Sequence, residues 1–287
     1  MTKIYRDYDQ AELDRQYDQA TLVPDLAPYN TVWVERSAAA RKALAHQADV
    51  AYGQHPREKL DVFPAGNGRA PAFVFFHGGA WRALDKERFS LVAPPLVEAG
   101  IAVVVAGFAL LPNVSLDIQV HQARSAFAWA WREGGKHGID PDRLFVAGHS
   151  SGGHLAGVVS TTDWTEWGLP ADAVKGTVSV SGMYDLEPVR LSARNKYAFL
   201  NEEAVRRYSA VNFLSNGTGP ALIAWGDGEL DEFKRQSRDF VALAQSRGRN
   251  FEGREIAGRN HFAVVEEMFM PGGQLAQAMI EMVRSVG

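Results

Sequence analysis

The sequence predicts an α/β fold: a mostly parallel eight-stranded sheet with helices on both faces and a small N-terminal helical cap. Three observations predict it. Short continuous apolar runs recur along the chain, as strands buried on both faces require. Segments with helical patterning separate them, as right-handed crossovers require. Residues suited to chemistry follow directly after those runs, at the carboxyl strand ends where open α/β sheets place ligands.

The elements follow in order. Residues Asp7 to Asp18 are charged and read as a surface helix. Asn30 to His46 read as a second, capped by Asn30, with a partial apolar stripe of Val34, Ala38 and Ala45. These helices precede the sheet, so residues 1–47 are expected to form a cap on one domain of residues 1–287. Ala48–Tyr52 and Leu60–Phe63 are expected to open the sheet as an antiparallel pair. Pro71–Phe76, Ile101–Val105, Leu144–Ala147, Thr177–Val180 and Ala221–Trp225 are the continuous apolar runs, and Phe251–Ile256 is a last, more polar one. Helices are expected over Lys86–Glu98, Leu116–His137, Gly153–Ser160, Asp231–Arg247 and Ala263–Val286.

Composition narrows the class. With 46% hydrophobic and 22% charged residues, the chain reads as a globular enzyme with a large core. Cysteine is absent, so disulfides, a thiolate nucleophile and Cys-ligated zinc are excluded. The polar opening residues lack a signal-peptide pattern, and a cytoplasmic location is expected. No apolar stretch of about 18 residues occurs, so no membrane span is expected. A net charge of −4 gives no reason to expect nucleic acid or an anionic membrane as partner. A homodimer is left open.

The run Leu144–Ala147 leads into Gly148-His149-Ser150-Ser151-Gly152-Gly153, with a helix after it. This is G-x-S-x-G in a strand–turn–helix context, which holds a serine hydroxyl above a sheet on a sharp turn. Ser150 is the expected nucleophile. The alternative is a Gly/Ser turn that only caps a helix. The run Pro71–Phe76 ends in His77-Gly78-Gly79-Ala80-Trp81. The amides of Gly78 and Gly79, with that of Ser151, are expected to hold a developing oxyanion. His77 is expected to brace that loop.

A serine hydroxyl needs a base, and eight histidines are present. His46, His55, His121 and His137 lie away from the expected carboxyl strand ends. His149 sits inside the elbow, and His154 reads as a packed residue of the following helix. His261 follows the last strand, after nucleophile and acid in chain order, and is the expected base. The acid should follow Ala221–Trp225, where Gly226-Asp227-Gly228-Glu229 offers two carboxylates. Asp231 and Glu232 suit the start of a helix. Asp185 is more distant and reads as a loop brace.

His77-Gly-Gly-Ala-Trp81, Gly148-His-Ser-Ser-Gly-Gly-His154 and Gly258-Arg-Asn-His-Phe262 resemble the arylformamidase (kynurenine formamidase) branch of the α/β hydrolases, relatives of hormone-sensitive-lipase-like esterases. Asp9–Tyr17, Ser181–Pro188 and Glu232–Ser237 extend the resemblance over nearly the whole chain. It implies an α/β-hydrolase fold and an acid three residues before the Glu-Phe pair, which here is Glu229. Glutamate stands where that family usually has aspartate. The family loop commonly reads His-Gly-Gly-Tyr-Trp, with Ala80 at the tyrosine position here. Many relatives read Tyr-Arg-Leu-Ala-Pro where this chain has Phe108-Ala-Leu-Leu-Pro112.

The expected function is therefore hydrolysis of amide or ester bonds in small aromatic acyl compounds through an acyl-enzyme on Ser150, without metal or cofactor. Ala80, Trp81, Phe108, Leu111, Met183 and Tyr184 are expected around the substrate, with room for bulkier or more apolar groups than formyl. The alternatives are a general carboxylesterase and a non-catalytic binding protein on the same fold.

Overall fold

The computed structural model describes residues 2–66 and 68–286. Strands β1 (Gln47–Ala51), β2 (Lys59–Phe63), β3 (Ala70–Phe76), β4 (Ala102–Ala106), β5 (Ile139–His149), β6 (Val174–Val180), β7 (Ala221–Gly226) and β8 (Phe251–Ile256) form one eight-stranded sheet in the order β1-β2-β4-β3-β5-β6-β7-β8. β1 and β2 are antiparallel to each other, and β2 is antiparallel to β4. All later pairings are parallel.

Alternation along each strand divides the core into two layers. On β3, Val74 and Phe76 pack on one face, while Phe73 and Phe75 pack on the other. On β4, Val104 and Ala106 match the first face and Val103 and Val105 the second. Both faces are apolar because helices cover both. Each buried Phe contributes roughly 1.5–3 kcal/mol over its exposed state.

The helices are α1 (Gln10–Gln16), α2 (Ala27–Ala43), α3 (Ala93–Glu98), α4 (Leu116–Arg132), α5 (Ser151–Ser160), α6 (Glu187–Leu191), α7 (Asn195–Ala198), α8 (Glu202–Tyr208), α9 (Asp231–Ser246) and α10 (Gln274–Val286). Several differ from the sequence reading. Helix α2 starts at Ala27 with Pro28 in its first turn, where a missing N–H costs nothing. Asn30 therefore lies inside it and does not cap it. Lys86–Val92 is a 3₁₀ turn ahead of α3, and α4 stops at Arg132 before a short 3₁₀ turn at Gly134–His137. The expected C-terminal helix divides, because Pro271 and Gly272 (φ +74°) break it between Ala263–Met268 and α10. Helices α6 to α8, in the long connection between β6 and β7, were not expected from the sequence.

Among the described residues, no helix is long and apolar enough to cross a membrane.

Candidate active site

The turn after β5 explains its glycines. Ser150 adopts φ 56° and ψ −119°, a strained conformation for a residue with a side chain. A Cβ on Gly148 would lie 2.2 Å from the Gly152 carbonyl oxygen, and one on Gly152 would lie 2.0 Å from that of Phe76. Any larger residue at either position would push the turn open. The Ser150 amide donates to Val180 O at 2.8 Å, which pins the turn to β6.

The loop after β3 is also strained. Gly79, Ala80, Trp81 and Leu84 all have positive φ, at 114°, 53°, 62° and 71°. The amides of Arg82 and Ala83 donate to Gly79 O at 3.0 and 2.9 Å, and a Cβ on Gly79 would strike Ala83 O at 2.1 Å. This curl brings Gly78 beside the serine: a Cβ there would lie 3.4 Å from Ser150 Cβ. The first amides of α5, including that of Ser151, have no acceptor within the helix, which starts directly after Ser150. His77 braces the loop from below. Its Nδ1–H donates to Gly78 O at 2.7 Å, and its ring stacks on Phe108 at 4.3 Å. Burial pushes its pKa down to about 4, so it is neutral.

Three side chains from three strand ends meet in one line. The Ser150 hydroxyl donates to His261 Nε2 at 2.9 Å, and His261 Nδ1–H donates to Glu229 Oε2 at 2.9 Å. Glu229 Oε1 accepts from the Gly226 amide at 2.8 Å and from the Ser181 hydroxyl. Gln19 Nε2 reaches Oε2 at 3.4 Å. The carboxylate is buried and held on both oxygens. His149 donates from Nε2 to His261 O at 2.9 Å, and burial keeps its pKa well below the ordinary 6.5, with His261 adding to the effect.

The other candidates lie elsewhere. Asp227 is exposed, and its Oδ1 accepts from the Arg259 amide at 3.2 Å. Its carboxyl titrates below the ordinary range, chiefly because the Gly258 amide donates to it. Asp185 accepts from the Glu187 amide at 2.9 Å and braces its own loop. His154 accepts from Trp81 Nε1 at 3.2 Å and donates to Tyr208 O at 2.9 Å.

Above Ser150 lies a cavity of about 820 Å³, within the range of small-molecule sites. Gly78, Gly79, Ala80 and His261 line its floor. The N-terminal segment covers it with Tyr17, Gln19, Tyr29 and Trp33. That segment is stitched to the acid loop. Gln16 accepts from the Glu232 amide at 3.0 Å, Gln19 accepts from the Leu230 amide at 3.3 Å, and Tyr17 donates to Glu232 at 3.3 Å.

Five expected pocket residues do not reach this cavity. Trp81, Phe108, Leu111, Met183 and Tyr184 are each at most 2% exposed. The positive φ of Trp81 turns its indole inward onto His154. Phe108 lies under His77, and Leu111 is packed in the core with its amide on Trp81 O at 3.0 Å. Met183 is buried below Arg194, and Tyr184 stacks on Phe240 at 4.2 Å. Of the expected set, Ala80 alone lines the cavity. Ser181, Gln19 and the aromatic roof were missed. The one available signal for them was the placement of two helices before the sheet.

A doubly wound sheet with a serine–histidine–carboxylate line at its strand ends defines a hydrolase class. A family profile described as the alpha/beta hydrolase fold matches residues 73–265, and the chain belongs to that family. The chain is similar to a kynurenine formamidase of Danio rerio, 28% identical over 95% of this chain and 96% of that one. A kynurenine formamidase of Salmo salar is likewise 28% identical, over 97% and 98%. A crystal structure of a Silicibacter sp. TM1040 protein, provisionally named a thioesterase, superposes with a TM-score of 0.82 at 25% identity, covering 95% of this chain and 99% of that one. An esterase of Pyrobaculum calidifontis shares the fold, with a TM-score of 0.71 at 21% identity over 94% and 98%.

Proposed function

We propose that the protein is a serine hydrolase that cleaves amide or ester bonds of small aromatic acyl compounds. The observation that carries this reading is the continuous hydrogen-bonded line from Ser150 through His261 to Glu229, opening into a cavity roofed by Tyr17, Tyr29 and Trp33. A site that only bound a ligand would have no need of that line. The similarity to kynurenine formamidases supports an aryl amide as substrate.

The reaction is acyl transfer to water. Ser150 Oγ attacks the carbonyl carbon while His261 Nε2 takes the hydroxyl proton. Glu229 stabilises the imidazolium through Nδ1–H without taking the proton. The carbonyl oxygen becomes an oxyanion facing the amides of Gly78, Gly79 and Ser151, each such donor typically worth ~10²–10³ in rate. Collapse expels the amine or alcohol, which leaves with the proton from His261. Water then gives a proton to His261 and attacks the acyl-enzyme, releasing the acid and restoring Ser150.

The test has two arms. An organophosphonate should add one covalent mass to the peptide carrying Ser150, and Ser150→Ala should lose about 10⁶ in turnover. A panel of N-formyl, N-acetyl, ester and thioester derivatives of one aromatic series ranks the substrates. Labelling at another serine would remove the nucleophile assignment, and neither labelling nor turnover would leave a binding protein. A cytoplasmic location is part of this reading, checked by fractionation, and light scattering distinguishes a monomer from a homodimer.

A further inference from the structure

His77, His149, His154 and His261 are buried, and three of them are accounted for. His261 uses both ring nitrogens in the line from Ser150 to Glu229. His154 is bonded at Nδ1 to Trp81 and at Nε2 to Tyr208 O. His77 holds Gly78 O through Nδ1, and its Nε2 is sealed from solvent. His149 differs. Its Nε2 faces His261 O at 2.9 Å, and a carbonyl only accepts, so Nε2 carries the proton. Burial keeps the ring neutral, which leaves Nδ1 as a bare lone pair. Among the described residues Nδ1 has no hydrogen-bond partner, yet it is not one of the atoms sealed from solvent, and the residue lines the cavity above Ser150.

This open nitrogen sits among the reacting groups. The His149 and His261 rings are 4.8 Å apart and tilted by 44°. A Cβ on Gly78 would lie 3.0 Å from His149 Nδ1 and 3.4 Å from Ser150 Cβ. Gly78 is not among the residues with positive φ, so backbone strain does not call for glycine there. Its missing side chain leaves Nδ1 uncovered beside the nucleophile.

Amides and esters differ in what they ask of such an acceptor. When Ser150 Oγ adds to an amide carbonyl, the nitrogen lone pair develops on the side away from the new C–O bond, and so away from His261. The nitrogen must invert before His261 Nε2–H can protonate it. Inversion swings the N–H to the other side, where a fixed acceptor stabilises the inverted form alone. Such a bond is made in the transition state and not in the bound substrate, so it speeds the reaction. An ester oxygen has two lone pairs and no hydrogen; it needs no inversion and has nothing to donate. We propose that His149 Nδ1 accepts the scissile N–H during this inversion and is the residue that sets amide against ester cleavage in this site. The inference rests on the hydrolase reading above. The C–N bond breaks as the proton that His261 took from Ser150 passes to nitrogen. The amine leaves neutral, and His149 neither gains nor loses a proton.

The test compares kcat/KM for para-nitroformanilide and para-nitrophenyl formate, with spontaneous hydrolysis subtracted. The two share acyl and aryl groups and differ only in N–H against O. His149→Gln keeps a donor toward His261 O and removes the acceptor at Nδ1. The amide-to-ester ratio should then fall by about tenfold or more, as for one buried hydrogen bond. His149→Asn does the reverse: its amide oxygen stands near the Nδ1 position, but no donor reaches His261 O. Both substrates should slow together there, with the ratio kept within about threefold. Thermal melting of each variant checks folding. If the Gln variant does not fold, His149→Leu measured against His149→Asn gives the same contrast. A ratio that Gln leaves unmoved, or that Gln and Asn lower equally, would overturn the role of His149, because a residue that only packs gives one of those results. A wild type that cleaves the ester alone would overturn it too, with the hydrolase reading intact. If neither compound is cleaved, the hydrolase reading falls and the inference falls with it.

Discussion

The hydroxyl of Ser181 donates to Oε1 of Glu229, the carboxylate oxygen that does not face His261. Ser181 pays for this position with a positive φ of 53° at the end of β6, while its amide donates to Ala224 O at 2.8 Å. A glutamate arm is one methylene longer than an aspartate arm and has one more rotor to fix. Ser181 and the Gly226 amide fix it from one side. Ser181→Ala is therefore expected to lower kcat by roughly tenfold with KM nearly unchanged, about what one hydrogen bond to a charged group is worth. Steady-state kinetics on one ester would show it, and a change confined to KM would count against a positioning role.

The two carboxylates of the acid loop should separate cleanly by mutation. Glu229 contacts His261, whereas Asp227 holds the turn at Arg259. Glu229→Gln should cost about 10²–10⁴ in kcat. Asp227→Asn should cost under roughly tenfold. If Asp227→Asn is the more damaging change, the roles exchange.

Ala80 lines the cavity immediately after the two glycines. A methyl group where relatives commonly carry a tyrosine ring leaves room for a few carbon atoms, and apolar filling is worth roughly 0.8 kcal/mol per CH₂. Ala80→Tyr should lower kcat/KM for butyryl derivatives by roughly tenfold, or about 1.4 kcal/mol, and spare formyl ones. The comparison needs formyl, acetyl and butyryl derivatives of one aromatic amine. A wild-type enzyme that cleaves only the formyl compound would reject the idea.

Acid should weaken the fold through its buried histidines. Burial holds His77 down to about 4 and His154 down to about 3, against an ordinary value of 6.5. Between those limits the unfolded chain binds more protons than the folded one, so stability falls as pH drops from about 6.5 toward 4. Tm should decline across that window. His154→Gln, which can still accept from Trp81 and donate to Tyr208 O, should make the decline shallower. An unchanged slope would mean that His154 does not contribute.

What could be seen in the sequence was what short-range sterics imposes. Gly148 and Gly152 are legible because their contacts lie within the same turn or on the adjacent strand, and His261 because it follows an apolar run. Strand centres were legible for the same reason, while β5 reaches back to Ile139 through Asp140-Pro141-Asp142, which carry no apolar pattern. The pocket was misread because its lining depends on side-chain direction. Trp81 faces inward only because its backbone is left-handed, and Phe108 is a support for His77. Gln19 and Ser181 were invisible because their partner lies 210 and 48 residues away.

The distance from Gln19 to Glu229 also sets an order of events during synthesis. A growing chain emerges with Ser150 and its elbow long before the loop that fastens the roof. Until residues 229–236 arrive, Tyr17 has neither Phe233 beneath it nor Glu232 to bond. At that stage the roof aromatics lack the partners that cover them in the folded chain, and His261 has not yet joined Ser150.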